Sequence, residues 1–164
     1  MLQVVFRSQL TTLLSYLDIQ RLCLAAARNN RKAGVTGFMV ECGGVFLQSL
    51  EGQVRDVTET LDRIYRDTRH DHIEIVYSEQ DVPRRRFGVW AMNVMFLDDD
   101  TFWTKVFGSG YSCDEMLSQP MDPAFAMGVL AVAYRHACSV TGMAPAATGN
   151  RLGRIPRIRH MIRR

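Results

Sequence analysis

Apolar and polar positions change their rhythm along this chain, and the changes outline its elements. LQVVFR at 2–7 is rich in β-branched and aromatic residues and predicts a first strand. From Asp18, a candidate cap, Ile19, Leu22, Cys23 and Ala26 fall at helical spacing, which predicts a helix to about Asn30 that Gly34 ends. Two strands follow, at 35–42 and 45–50, joined by Gly43-Gly44, a tight hairpin signal. Val57, Leu61, Ile64 and Tyr65 form the apolar face of a second helix over about 54–69. A fourth strand is expected at 72–78 and a fifth at about 87–96. The order is βαββαββ, an α+β class with a ferredoxin-like sheet and two helices on one face.

After Asp98 the period becomes helical. Asp98-Asp99-Asp100 starts a short helix to about Phe107, broken by Gly108 and Gly110. Asp122-Pro123 starts a longer one, with Asp122 as cap and Pro123 at the first helical position, running to about Val140. Its Phe125, Val129, Leu130, Val132, Ala133 and Ala137 need cover, and the open face of the sheet supplies it. Three parts follow: a domain at 1–97, a helical extension at 98–140, and a basic tail at 141–164 rich in Gly, Pro, Ala and Arg, expected to be mobile.

Charge and cysteine content narrow the picture. The formal net charge is +3, but six arginines of the final 14 residues hide an acidic body: residues 1–150 hold 14 basic against 17 acidic groups. The tail is therefore the part suited to an acidic partner, a nucleic acid or a membrane surface, or it is solvated disorder. Cys23, Cys42, Cys113 and Cys138 are scattered without a CxxC pair, so no zinc site and no disulfide framework is expected. No secretory signal and no membrane span are read, which predicts a cytoplasmic protein with reduced thiols. GxGxxG and Walker A patterns are absent.

Several segments, in order and at matching spacing, resemble the BLUF family, blue-light sensors using FAD. They are VFRSQL, RNNRKAGVTGFMV, GVFLQSLEG, LDRIYRDTRH and RRRFGVWAMNV, with MDPAF similar to the start of the last helix in short stand-alone members. The resemblance implies an FAD between the two helices. It assigns cofactor contacts to Asn29, Asn30, Gln48, Arg63, Asp67, Arg69 and His70, with no metal. On the residues alone, other roles stand beside these. Asn30 near a helix end is a common cap, Arg63 and Asp67 at i,i+4 make a surface ion pair, and Gln48 between Phe46 and Leu50 needs a buried partner.

The resemblance also implies a photocycle. A first-strand tyrosine gives an electron and a proton to excited flavin, and the glutamine rearranges. Here that position is Phe6, which keeps the ring and lacks the hydroxyl. The resemblance leaves flavin binding compatible with Phe6 and implies an impaired photocycle. A naturally divergent member and a Tyr→Phe variant both fit. Trp90 and Met92, expected on one face of the fifth strand, match the family's relay toward the C-terminal helices; plain core packing is the other role open to them.

The expected function is thus a non-enzymatic FAD-binding sensor that signals to an unidentified downstream protein, as a homo-oligomer. The alternative is a flavin-free ferredoxin-like protein-interaction module. An RNA-binding role has little support, because GVFLQSLEG offers one aromatic, Phe46, and no adjacent Lys or Arg. An acylphosphatase-like hydrolase has less, because RSQLTT has no His or acid beside it.

Overall fold

The computed structural model describes residues 1–108, 112–117 and 120–145. Within them one mixed sheet contains β1 (Leu2–Leu10), β2 (Thr36–Cys42), β3 (Val45–Gly52), β4 (His70–Glu79) and β5 (Val94–Phe96). The strand order is β4-β1-β3-β2-β5. The first four strands pair antiparallel, and β5 runs parallel to β2. Helices α1 (Tyr16–Lys32) and α2 (Val54–Tyr65) cover the front face. On the rear lie α3 (Asp100–Phe107), α4 (Asp114–Leu117) and α5 (Pro123–Thr141). This is the ferredoxin-like α+β plan expected, with the C-terminal helices on the other face.

Strand alternation divides the sheet into two cores. Leu2, Val4, Phe6, Phe46 and Leu50 point forward to Ile19, Cys23, Val57 and Leu61 of the two front helices. Val5, Phe38, Val40 and Leu47 point back to Val129, Leu130, Ala133 and Tyr134 of α5 and to Trp103 of α3. The hairpin between β2 and β3 turns on Gly43 and Gly44, whose φ values of +59° and +84° suit a two-residue turn that L side chains resist.

Local chemistry sets most of the ends. Asp122 caps α5 by accepting the Ala124 N–H, with Pro123 in the first turn, as expected. The cap of α1 is Ser15 rather than Asp18. Its hydroxyl accepts the Asp18 N–H, and Asp18 occupies the first turn, where an acid complements the helix dipole. Helix α2 stops at Tyr65, short of the expected end, because the chain turns through Asp67 into β4. Tyr65 is exposed and leaves the apolar face to Val57, Leu61 and Ile64.

Two further expectations are corrected. The fifth strand is reduced to 94–96, and 87–93 bends along the edge of β2. Side chains from helices take the backbone groups a ladder would use: Tyr134 Oη accepts the Val89 N–H, and Asn30 Nδ2 donates to the Ala91 carbonyl. Cys42 and Cys113 form a disulfide, with Cα atoms 6.0 Å apart across 71 residues of sequence, while Cys23 and Cys138 are free. Spacing alone does not reveal such a pair; the fold brings the hairpin beside the start of α4. Finally, α5 is long and apolar enough to cross a membrane by length and composition. Its apolar residues run from Pro123 to Tyr134 before Arg135 and His136, and one side packs in the rear core. The tail beyond residue 145 lies outside the described residues.

The connection from β4 is fastened at the end of the sheet. Arg85 donates to the carbonyls of Gly34 and Glu51 and to the Thr36 hydroxyl. The buried Glu51 carboxylate accepts from the Arg86 and Phe87 N–H groups and from Gln3. Burial pushes the Glu51 carboxyl above its usual range, and those two backbone donors pull it back.

Candidate functional site

A cleft opens between α1, α2 and the front of the sheet. Its volume is about 130 Å³. The apolar part of its wall is Leu22, Ala25 and Ala26 of α1, Met39 and Leu50 of the sheet, Ile64 of α2, and Met92. All seven residues that the sequence assigned to a cofactor, Asn29, Asn30, Gln48, Arg63, Asp67, Arg69 and His70, line this one cleft.

Gln48 lies at the base. In β3 it pairs with Phe6 of β1 on one side and Met39 of β2 on the other. The residue is 4% exposed. Its amide nevertheless has no hydrogen-bond partner among the described residues, although it borders the cleft. No described residue supplies the partner expected for it, and the amide is instead open to the cleft. Phe6 is fully buried beside it and offers only carbon.

Asn30 closes the α1 side at 2% exposure. It is not the helix cap; Ala33 holds that position. Its Nδ2 donates to the Ala91 carbonyl at 2.8 Å, which leaves its amide oxygen for another donor. Asn29 is exposed on the adjacent rim.

Charge gathers at the outer end. Arg63 and Asp67 do not form the i,i+4 pair that spacing allows. Arg63 Nη2 donates to Thr60 Oγ1 at 2.8 Å. Asp67 pairs instead with Arg69, two residues on, because the chain has left the helix there. Hydrogen bonds from Arg69 hold the Asp67 carboxyl down to about 2. His70 Nδ1 lies 3.1 Å from Ser8 Oγ, and its ring rests 5.6 Å from that of Phe46. Burial pushes the His70 imidazole below its usual range, so the neutral ring is favoured.

Trp90 and Met92 do not share a face. Met92 lines the cleft, its methyl so close to Gly37 that a Cβ there would meet it at 2.6 Å. Trp90 packs in the rear core against Phe38 and Tyr134. The bend at 88–93 breaks the alternation that a strand would impose. Sequence reasoning also missed Thr60, Met39 and the Ala25-Ala26 pair. Their signals were present: small residues one turn before Asn29 and Asn30, and a hydroxyl three residues before Arg63.

The arrangement has chemical direction. Amides able to donate and accept stand at an apolar base, and guanidinium and carboxylate groups stand at the mouth. That combination suits a ligand with an apolar body and polar edges. Fold and cleft thus define a ferredoxin-like α+β domain with a cleft between its two front helices and the sheet. The model of the family BLUF, "Sensors of blue-light using FAD", matches residues 1–93, and the chain belongs to that family.

Solved structures and a curated relative agree on the domain. A bacterial light-regulated adenylyl cyclase is 29% identical with a TM-score of 0.61, over 66% of this chain and 32% of that one. BlrB, a BLUF protein in its dark state, is 24% identical with a TM-score of 0.62, over 80% of this chain and 96% of that one. At that identity the likeness shows the fold. The photoactivated adenylate cyclase subunit beta of Euglena gracilis is 32% identical over 74 residues, 45% of this chain and 9% of the relative. The chain therefore spans a small part of the cyclases it resembles. As a BLUF domain it belongs to a flavin-binding family of blue-light photoreceptors.

Proposed function

We propose that this chain holds one FAD in the front cleft and acts as a sensor through protein–protein contacts rather than catalysis, with its light response blocked at Phe6. One observation carries the proposal: Gln48 is only 4% exposed, its amide opens to the cleft, and no described residue of the protein partners that amide. A ligand with matching polar edges would take the place of solvent at that amide.

The residues fit the cofactor. Gln48 and Asn30 would meet the polar edge of the ring, between the apolar side chains of Met39, Leu50, Ile64 and Met92. Arg63 and Arg69 would face the phosphates, and Asn29 and Asp67 the rim. When bound, FAD supplies light absorption and a one-electron acceptor. The chain's own part is to orient the Gln48 amide, exclude water around it and present a hydrogen-bonding neighbour. Phe6 stands directly across from Gln48 and cannot do the last of these. The downstream partner is another protein, reached as a homo-oligomer, with the arginine tail a candidate contact for an acidic surface.

The test is the absorption spectrum of the purified chain before and after blue light, beside Phe6→Tyr. Both proteins are expected to carry FAD. Illumination is expected to shift the flavin bands of the Phe6→Tyr variant reversibly and to leave those of the unaltered chain in place. Identical behaviour of the two would show that position 6 does not gate the response. A colourless, folded preparation would favour a flavin-free interaction module.

A further inference from the structure

The short helix α4 is seated on the rear of the sheet in two ways. One is noncovalent. Met116 is fully buried in the rear core, and its carbonyl accepts from Arg7 Nη1 at 3.1 Å. Asp114 and Leu117 are exposed. Beside this contact is a cavity of about 240 Å³, lined by Arg7, Val45, Met116 and Leu117 among others, so the underside of α4 is partly hollow. The other is covalent. Cys113, one residue before α4, is bonded to Cys42, the last residue of β2.

The two sulfurs stand in different surroundings. Cys42 is fully buried. Cys113 is half-buried, and its sulfur lies over the hairpin, 3.7 Å from where a Cβ on Gly43 would be. An incoming thiolate therefore meets the Cys113 sulfur first. Attack there forms a mixed disulfide on Cys113 and expels Cys42 as a thiolate, which takes up a proton. A second thiolate then attacks the sulfur of the small thiol in that mixed disulfide. It leaves as the small disulfide, and Cys113 departs as a thiolate that is protonated in turn. Two electrons pass to the protein. The reduced state of Cys42 is provided for, because its sulfur lies 3.3 Å from the Leu97 carbonyl, an acceptor for the S–H.

We infer that Cys42 and Cys113 form a reversible redox latch, which holds α4 against the sheet when oxidised and releases it when reduced, with a small thiol and its disulfide as exchange partners. Release gives up a tie across 71 residues of sequence and leaves α4 to the Met116 contact beside a cavity. The latch lies on the rear of the sheet and does not depend on what the front cleft binds.

Two measurements on the full chain test it. Folded protein is equilibrated in buffers of varied ratio of glutathione to its disulfide, then unfolded and alkylated, and the peptides are weighed. Cys23 and Cys138, both buried and free, are expected to be labelled throughout and serve as standards. The Cys42–Cys113 peptide is expected to convert to two labelled thiols, and back, as the ratio is changed. A bond that never forms, or one that resists the thiol until the chain is unfolded with urea, would overturn the latch.

Hydrogen exchange then reads the consequence. Amides of 112–117 are expected to exchange at least about tenfold faster in the reduced chain, with β1, β3 and α5 unchanged. Cys113→Ser, at the half-buried end, is expected to match the reduced chain in either buffer. Equal exchange in both redox states, or a response of Cys113→Ser to the buffer, would overturn the inference. Loss of protection across the whole sheet on reduction would make the bond a staple of the fold and would overturn it too.

Discussion

The two faces of this sheet are built from alternate residues of the same strands, yet they treat polar groups differently. On the rear, the polar atoms among the aromatics are met within the protein. Trp103 Nε1 donates to the Leu97 carbonyl at 2.7 Å, and Tyr134 accepts the Val89 N–H. Even the buried Arg7 pairs with Glu74 and donates to the Met116 carbonyl. On the front, Gln48 and one end of Asn30 look into a cleft without such partners. The rear is a finished core. The front is a core with one piece to be supplied from outside, and that difference is what points to a ligand.

The largest effect is expected where the core is finished. Leu130 is fully buried in the rear cluster, and Leu130→Ala should cost about 2–5 kcal/mol in urea unfolding. A loss below about 1 kcal/mol would mean that α5 is loosely seated and that the contrast between the faces is weaker than the packing indicates.

The front should respond differently. Gln48→Leu removes an amide that faces the cleft and not a protein partner, so flavin-stripped protein should keep its stability within about 1 kcal/mol. FAD affinity should fall in the same variant. Thermal melts with and without FAD read both effects. A destabilised apo-protein would show that Gln48 has a structural partner and would remove the main sign of an unfinished face.

The smallest effect concerns the cleft mouth. The folded His70 titrates below its usual 6.5, chiefly through burial, with Asp67 opposing and Arg69 assisting. The unfolded chain therefore takes up its proton first as pH falls. Stability from the neutral ring is complete above about 6.5 and declines as pH drops through that value toward the lower folded pKa. His70→Gln should flatten this part of the pH profile of the melting temperature. An unchanged slope would assign the dependence to other groups.

Much of the fold was legible because its signals are local. Gly43-Gly44 marks a turn by conformation and so the two strands it joins, and Asp122-Pro123 marks a helix start by capping. Asp18 misled because a serine three residues earlier makes the same kind of cap. The fifth strand misled for a different reason. RRRFGVWAMNV has the composition of a strand, but Tyr134 and Asn30 divert its backbone groups, and both come from distant helices. The disulfide between Cys42 and Cys113 was hidden in the same way, by 71 residues of intervening chain.

The cleft was legible through residues rather than geometry. Asn30, Gln48, Arg63 and His70 were named from segments that resemble a family, and the structure brings them to one cavity. What each one does there was not legible. The pairing of Asp67 depends on where α2 ends, and the solitary state of the Gln48 amide depends on Phe6 and Met39 flanking it across the sheet.

The central claim is that the front cleft accepts one flavin against the Gln48 amide. Calorimetric titration of flavin-stripped, folded chain with FAD tests it most directly, beside Ala26→Trp, which fills the cleft from α1. Saturation at one FAD per chain, lost in the tryptophan variant, is the predicted result. A folded chain that gives no saturable heat, or one that binds FAD equally well with the cleft filled, would contradict it.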